Sequence, residues 1–462
     1  MGAAPAETSA MPVWAELDAR FPGRIDRSAA LREQHGLGDS WHPARPPEAV
    51  LFVTSTAEVS DALAICNRHG LPVVPFGAGS CIEGQVQATR GGLSLDLSQM
   101  VQILRVSPGD MDCTVQAGVT RQQLNEDLRA TGLFFPIDVG AHATLGGLAS
   151  TNASGTITVR YGTMKTLAMG LTVVLADGRV IHTGGRARKS SAGYDLTHLF
   201  VGAEGTLGII TELTLRLHGI PERASAALYS FDTVEAATET VVEAMQLGLS
   251  LNRIELLDAL QMVAINRYNG TDHPERPTLM IDMAGAEAQV ETDLDLFGEI
   301  ATSRGAQVAP ATTPEAYAAL WKLRHSALYA ARALRPGCKS LSTDVCVPIT
   351  SLPKIIADIG AELERVGITA PLHGHVGDGN FHLVMLFDPD DEAERERVRE
   401  AHARLIAMAL DLGGTITGEH GVGLGKKPYM AAEHGEALVV MRQLKQTLDP
   451  NNILNPDKIF DL

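Results

Sequence analysis

Apolar and polar positions between residues 50 and 217 switch repeatedly between a strand period and a helix period. Val50 to Thr54 is a short apolar run, and Ser55-Thr56-Ala57-Glu58 follows with the spacing of a capping box. This predicts a helix whose inward face is Val59, Ala62, Leu63 and Cys66, ending at Gly70. Leu71 to Phe76 then predicts a strand that delivers the chain into the glycine-rich segment Gly77 to Gly84. Thr120-Arg121-Gln122-Gln123 repeats the capping spacing, with Val119 and Leu124 placed to staple a second helix that Gly132 stops. Leu93 to Leu97, Gly170 to Ala176 and Ile209 to Leu217 read as strands, with Asp177-Gly178 as a hairpin turn into Arg179 to His182.

Beyond Pro221 amphipathic helices such as Val234 to Leu247 alternate with strands such as Thr278 to Met283, the pattern of a second α+β domain. The division expected is an N-terminal segment 1–45, a first domain 46–221, a second domain 222–413 and a C-terminal segment 414–462.

Composition narrows the function. A chain of 462 residues, 45% hydrophobic and 20% charged, can bury large cores and suggests about two to four domains. A net charge of −17 opposes nucleic acid and anionic lipid as partners, so a small anion would need a local basic pocket. The five cysteines are odd in number and form no C-x-x-C pair, which points to neither a disulfide framework nor a thiolate zinc site. Met1 to Ala6 lacks the basic start and apolar core of a secretory signal, and no apolar run reaches the roughly 18 residues of a membrane span. The expected location is the cytoplasm; peripheral attachment to the inner membrane and a homodimer are left open.

The segment Pro75-Phe76-Gly77-Ala78-Gly79-Ser80-Cys81-Ile82-Glu83-Gly84 follows a strand, and its glycines let successive N–H groups close around a phosphate. Alone it also fits an ordinary surface loop. A dinucleotide fingerprint would need a third glycine sooner and a helix directly after. Two more glycine-rich stretches favour a ligand: Pro136 to Gly155 and Arg160-Tyr161-Gly162, where small residues allow close approach to a large flat group.

Further motifs are Ser190-Ser191-Ala192-Gly193-Tyr194-Asp195-Leu196, Gly202-Ala203-Glu204-Gly205-Thr206-Leu207-Gly208-Ile209-Ile210-Thr211-Glu212, Gly374-His375-Val376-Gly377-Asp378-Gly379-Asn380-Phe381-His382 and Thr417-Gly418-Glu419-His420-Gly421-Val422-Gly423. With these, residues 45 to 460 resemble the vanillyl-alcohol oxidase and p-cresol methylhydroxylase flavoprotein superfamily. The resemblance is to its branch of glycolate oxidase D-subunits, D-lactate dehydrogenases and D-2-hydroxyglutarate dehydrogenases. It implies an α+β fold with a two-subdomain FAD-binding domain of the p-cresol methylhydroxylase (PCMH) type, an α+β substrate or cap domain, and a C-terminal segment returning to the flavin. The FAD residues it implies are Pro75, Gly77, Ala78, Gly79, Ser80, Cys81, Gly84, Pro136, Asp138, Thr144, Gly146, Gly147, Ser150, Thr151, Asn152, Ser154, Gly155, Arg160, Tyr161, Gly162, Glu204, Gly205, Gly208, Ile209, Ile210 and Asn455. Attachment is expected to be non-covalent: Ser80 stands where covalent relatives carry a flavin-linking His, and no Cys lies in Val139 to Gly155.

Leu372 to Leu386 reads as a hairpin with Gly377-Asp378-Gly379-Asn380 as its connection, which pairs Val376 with Phe381 and sets His375 directly across from His382. Their β-carbons would be about 4.5–5.5 Å apart, suited to two imidazoles on one ion, although hydrogen-bonded core imidazoles are the plainer alternative. His373 shares that face and is expected to be structural. Glu419 and His420 lie between Gly418 and Gly421, where only an irregular turn lets neighbours serve one site; a polar turn is the alternative. The resemblance makes Glu419 the third metal ligand and His420 the catalytic base and a substrate contact. Zinc or manganese heads the choice of metal, with iron and cobalt also compatible.

The resemblance also assigns Arg324 and Lys339 to the substrate carboxylate, against the alternative of solvated charges. It implies oxidation of a D-2-hydroxy acid, best D-lactate to pyruvate, with electrons passing from FAD to a cytochrome, quinone or electron-transfer flavoprotein. Val384, where relatives acting on D-2-hydroxyglutarate carry Asn, favours a short or apolar substrate side chain. D-2-hydroxyglutarate or glycolate oxidation stays open, as does a non-catalytic flavin-bearing electron-transfer subunit or a plain anion-binding protein.

Overall fold

A computed structural model of the chain describes residues 12–462, so Met1 to Ala6 lie outside the described residues. The chain divides into two compact units, and neither is a single stretch of sequence. The first comprises the described residues up to Ser154, then Thr163–Gly219 and Glu419–Leu462; the second is Gly155–Gly162 with Ile220–Gly418.

In the first unit a four-stranded sheet runs in the order Ile25–Asp26, Ala49–Phe52, Leu93–Asp96, Val73–Phe76, and its last three strands are parallel. The crossover between Ala49–Phe52 and Val73–Phe76 is the helix Thr56–His69. Ser55 caps it by accepting the N–H of Glu58 at 3.3 Å, and Gly70 ends it in the left-handed region at φ 65°. Val59, Ala62, Leu63 and Cys66 are fully buried beneath it, as their spacing predicts.

A five-stranded antiparallel sheet completes the unit, in the order Ile103–Ser107, Asp112–Gln116, Ile209–Arg216, Ala168–Val174, Val180–Gly184. The C-terminal segment joins the first sheet: Val73 donates to Ile453 O at 2.7 Å, and Asn455 donates back to Val73 O at 2.8 Å. Buried Lys445 secures this return. Its ammonium donates to Thr206 O and Leu454 O, both at 2.8 Å, and to Asp449 at 2.5 Å, while the Asp449 carboxylate takes the N–H groups of Ile453 and Leu454.

The second unit is an eight-stranded antiparallel sheet backed by helices. Its main order is Gln307–Ala311, Arg223–Ser230, Thr278–Gly285, Leu251–Leu257, Leu372–Gly374, Asn380–Phe387, Lys339–Ser342, with Val345–Cys346 also paired to Asn380–Phe387. The break expected at 413/414 falls at Gly418/Glu419 because the intervening residues are tied to this sheet. Thr415 exchanges backbone hydrogen bonds with Cys346, and Gly418 donates to Asp344 O at 2.8 Å. The short helix Thr158–Tyr161 also belongs here: Arg160 donates to Ser250 O and Ala284 O, and Arg253 Nε reaches Thr156 Oγ1 at 3.0 Å.

The hairpin register departs from expectation. His373, not His375, pairs with His382, and Leu372 pairs with Leu383. The turn is the cause: His375 O accepts from both Asp378 and Asn380, and Val376 O accepts from Gly379, so the chain peels off the ladder after Gly374. Gly379 has φ +81°, and a β-carbon there would lie 1.9 Å from Val347 O, so only glycine fits. The slip is two residues, which keeps the same side chains on each face. His373 and His375 therefore both stay beside His382, with ring centroids 5.4 and 5.5 Å from it.

Candidate active site

The glycine-rich segment after Val73–Phe76 forms an open cradle in the first unit. Among the described residues, no acceptor takes the backbone N–H groups of Gly77, Ala78, Gly79 or Ser80. Gly79 sits at φ +68°, and a β-carbon at Gly77 would lie 2.5 Å from Thr144 Oγ1. Gly146 is pressed against Ala117, Gly205 against Pro75 and Gly208 against Val173, each within 2.6 Å of where a β-carbon would stand. Thus Pro75, Gly77, Thr144 and Gly205 meet around the end of one parallel strand. Donors without protein acceptors beside glycines that admit no side chain are what a bound pyrophosphate requires, so these residues fit FAD.

The helix Leu145–Thr151 carries Gly146, Gly147, Ser150 and Thr151; Thr144 caps it, and Asn152 ends it in the left-handed region. Glu204 N–H donates to Ser150 O at 2.8 Å, which joins this helix to the Gly205 to Ile210 turn. Buried Asp138 pairs with Arg121 at 3.0 Å, Pro136 beside it is buried, and Cys81 has its thiol pushed up to about 11 by burial. Gly84 turns the chain at φ +82°. Gly155, Arg160, Tyr161 and Gly162 belong to the other unit, where Arg160 is spent on backbone carbonyls.

Glu204 and Glu83 organise the turn that carries Glu419 and His420. The Glu204 carboxylate accepts the N–H groups of Val422 and Gly423 at 2.6 and 2.9 Å, and burial pushes it up to about 7. Glu83 lies under the same turn, its Oε1 2.9 Å from fully buried Lys426 and 3.6 Å from His420 Nδ1. Burial raises the Glu83 carboxyl, but Lys426 and His420 outweigh it and hold it below the usual range. Gly421, at φ +78°, supplies the irregular backbone that neighbouring side chains need to converge. A ligand atom of Glu419 and one of His420 lie within 4.8 Å of each other, and Ser154 Oγ donates to Glu419 at 2.8 Å.

In the second unit the imidazoles are oriented from behind. His382 Nδ1 lies 2.9 Å from Thr343 O, a pure acceptor, so Nδ1 carries the proton and Nε2 holds the lone pair. His375 Nδ1 lies 2.6 Å from Glu255, whose other oxygen accepts Arg324 Nε at 2.6 Å. Burial pushes the Glu255 carboxyl up, yet Arg324 and His375 prevail and hold it below its usual range, which keeps it an acceptor. His373 faces Gln261 instead. Asp344 accepts from Asn380 and Thr417 and offers a ligand atom within 4.8 Å of one on His382. Two imidazoles with Nδ1 engaged and Nε2 basic are a donor set that fits a divalent metal.

Arg324 is in the last turn of the helix Pro314–His325, almost wholly buried. Lys339 is not brought to this group: it pairs with Phe387, five residues along the strand from His382, and is exposed. Val384 is fully buried and clusters with Ala331 and Leu386. Sequence reading missed Glu255, Glu83, Asp344 and Lys445. Glu255 had a readable signal, since a carboxylate set between Ile254 and Leu256-Leu257 in the strand Leu251–Leu257 must be paired if it is buried.

Residues 47–184 match the FAD binding domain family, and residues 220–459 match FAD linked oxidases, C-terminal domain. Among solved structures, p-cresol methylhydroxylase with substrate bound superposes with a TM-score of 0.79 at 18% identity, covering 97% of this chain and 96% of that one, which establishes the PCMH-type fold. A probable mitochondrial D-lactate dehydrogenase of Danio rerio is 48% identical over 443 residues, covering 95% of this chain and 89% of its own length. The mitochondrial D-lactate dehydrogenase (cytochrome) of Arabidopsis thaliana is 43% identical over 425 residues, 91% of this chain and 75% of its own. Glycolate oxidase subunit GlcD of Bacillus subtilis is 38% identical, covering 95% and 94%. The chain belongs to the FAD-linked oxidase family, in the branch that holds the D-lactate dehydrogenases, and is an FAD-dependent oxidoreductase.

One expectation is corrected by these relatives. The cytoplasmic location, with its variant at the inner membrane, conflicts with the D-lactate dehydrogenases of Danio rerio, Arabidopsis thaliana, Saccharomyces cerevisiae and Kluyveromyces lactis, which are mitochondrial. The odd cysteine count without a C-x-x-C pair is the ground for that expectation, and it carries no address. No helix among the described residues is long and apolar enough to cross a membrane.

Proposed function

We propose that the protein oxidises D-lactate to pyruvate with non-covalent FAD and a divalent metal, and passes the electrons to a cytochrome. The observation that carries the metal reading is the pair of buried imidazoles, His375 and His382, each with Nδ1 engaged by an acceptor. Glu419 as third ligand rests on the sequence motif. Relatives named D-lactate dehydrogenase (cytochrome) support the substrate and the acceptor.

FAD, when bound, supplies the two-electron acceptor for the α-hydrogen. A divalent metal, when bound, supplies the Lewis acidity that eases loss of the hydroxyl proton. The chain's residues do the rest. His420, with Nδ1 turned toward Glu83, takes that proton at Nε2. Arg324 has Nε on Glu255, and neither of its terminal nitrogens has an acceptor among the described residues, so this fork receives the substrate carboxylate. The glycine cradle holds the pyrophosphate. A carbonyl behind His382 and a carboxylate behind His375 keep both imidazoles in the ligating tautomer.

The test is anaerobic reduction of the purified yellow protein by D- and L-lactate, glycolate and D-2-hydroxyglutarate. D-lactate should bleach the flavin fastest and L-lactate should not. Bleaching by none of them would overturn the reading in favour of a flavin-bearing subunit without catalysis.

A further inference from the structure

We propose that Glu255 is a positioning residue that serves two parts of the reaction at once, fixing the tautomer of His375 with one carboxylate oxygen and the plane of the Arg324 guanidinium with the other. This rests on the proposed metal role of His375.

Glu255 is fully buried in the strand Leu251–Leu257, between the helix bearing Arg324 and the hairpin bearing His375. Both oxygens are committed: Oε1 lies 2.6 Å from His375 Nδ1, and Oε2 lies 2.6 Å from Arg324 Nε. A buried charge so placed is costly unless paired, and here it has two charge-assisted partners that converge from separate elements.

Each hydrogen bond has a distinct consequence. With Nδ1–H donated to a carboxylate, His375 presents Nε2 as a more basic ligand than an imidazole in water, which raises metal affinity. With Nε anchored, the guanidinium cannot spin about its last bond, so its terminal nitrogens keep one plane for a planar carboxylate. Metal and substrate would be held against a common reference, with Glu255 touching neither. A purely structural ion pair would also be buried, but it would have no reason to place an imidazole's ligating nitrogen.

Glu255→Gln separates the alternatives because it keeps shape while offering only one carbonyl oxygen to two donors. FAD-loaded wild type, Glu255→Gln and His375→Ala are stripped with chelator, then titrated with zinc and with manganese(II) against a chromophoric competitor. The proposal expects Glu255→Gln to bind metal about 10–100-fold more weakly, with FAD content unchanged and KM for D-lactate raised even at saturating metal. His375→Ala should lose the site. Wild-type affinity in Glu255→Gln alongside loss in His375→Ala would overturn the positioning role and leave the metal reading standing. Wild-type affinity in His375→Ala would overturn both. Where Glu255→Gln does not fold, Glu255→Asp keeps the charge but withdraws it by one methylene, and the same criteria apply.

Discussion

Asn455 Nδ2 donates to the backbone carbonyl of Glu204 at 2.8 Å, joining positions 251 residues apart, and the same Glu204 holds the turn after His420 through its carboxylate. The C-terminal return is thus built into the FAD unit, and Lys445 is its buried anchor. Lys445→Met should leave the buried Asp449 carboxylate without its counter-charge, held only by the Ile453 and Leu454 N–H groups, costing about 3 kcal/mol. Denaturant unfolding should show that loss, and gel filtration should show weaker flavin retention. Unchanged stability would mean the anchor is dispensable.

Flavin attachment is expected to be non-covalent, because the cradle offers Ser80 where a linking imidazole would be needed. Acid precipitation should release the yellow cofactor into the supernatant. A coloured pellet would show a covalent link.

His420→Ala should slow flavin reduction by D-lactate about 10²–10⁴-fold, the usual cost of a lost general base. FAD should remain bound, since the Val422 and Gly423 N–H groups keep their bonds to Glu204. Stopped-flow bleaching reads the rate, and a near-wild-type value would assign the base elsewhere.

Burial pushes the Asp258 carboxyl up to about 6 from an ordinary 3.8. A raised carboxyl favours the protonated form in the fold, so its stabilisation is present below pH 4 and lost as pH rises through 6, on the order of 3 kcal/mol. Asp258→Asn keeps the cap on the helix Ala259–Asn269 and removes the titration. Melting curves from pH 4 to 8 should fall less steeply for the variant; identical slopes would refute this.

Val384 stands on the His382 strand and packs against Ala331 and Leu386, with no exposed surface. A distal carboxylate would find no hydrogen bond there, so kcat/KM for D-lactate should exceed that for D-2-hydroxyglutarate. Val384→Asn should lose about 1–3 kcal/mol of stability by burying an unsatisfied amide. A preference for D-2-hydroxyglutarate would end this argument.

Much of this was legible in the sequence because it is local. The capped helix Thr56–His69 and the glycine cradle follow from short-range chemistry, and so do the strands that frame them. The hairpin face was legible too, but not its register, because the turn closes through two bonds to His375 O that no hydrophobic pattern encodes. Residues that act through distant partners were hidden. Glu255 meets Arg324 and His375 only once three elements pack, and Glu83 finds Lys426 across hundreds of positions. Lys339 shows the converse: the resemblance put it at the substrate carboxylate, whereas the strand register pairs it with Phe387, five residues along from His382.

The split first unit also sets an order of assembly. Residues 220–418 form most of the second unit and emerge from the ribosome as one continuous stretch, able to collapse while synthesis continues. The flavin unit is completed only at the end, because Val73 gains its bridge to Leu454 when the last segment appears. Until then the edge of its parallel sheet is open, and that nascent edge is where a chaperone would be needed and where slow translation would invite aggregation.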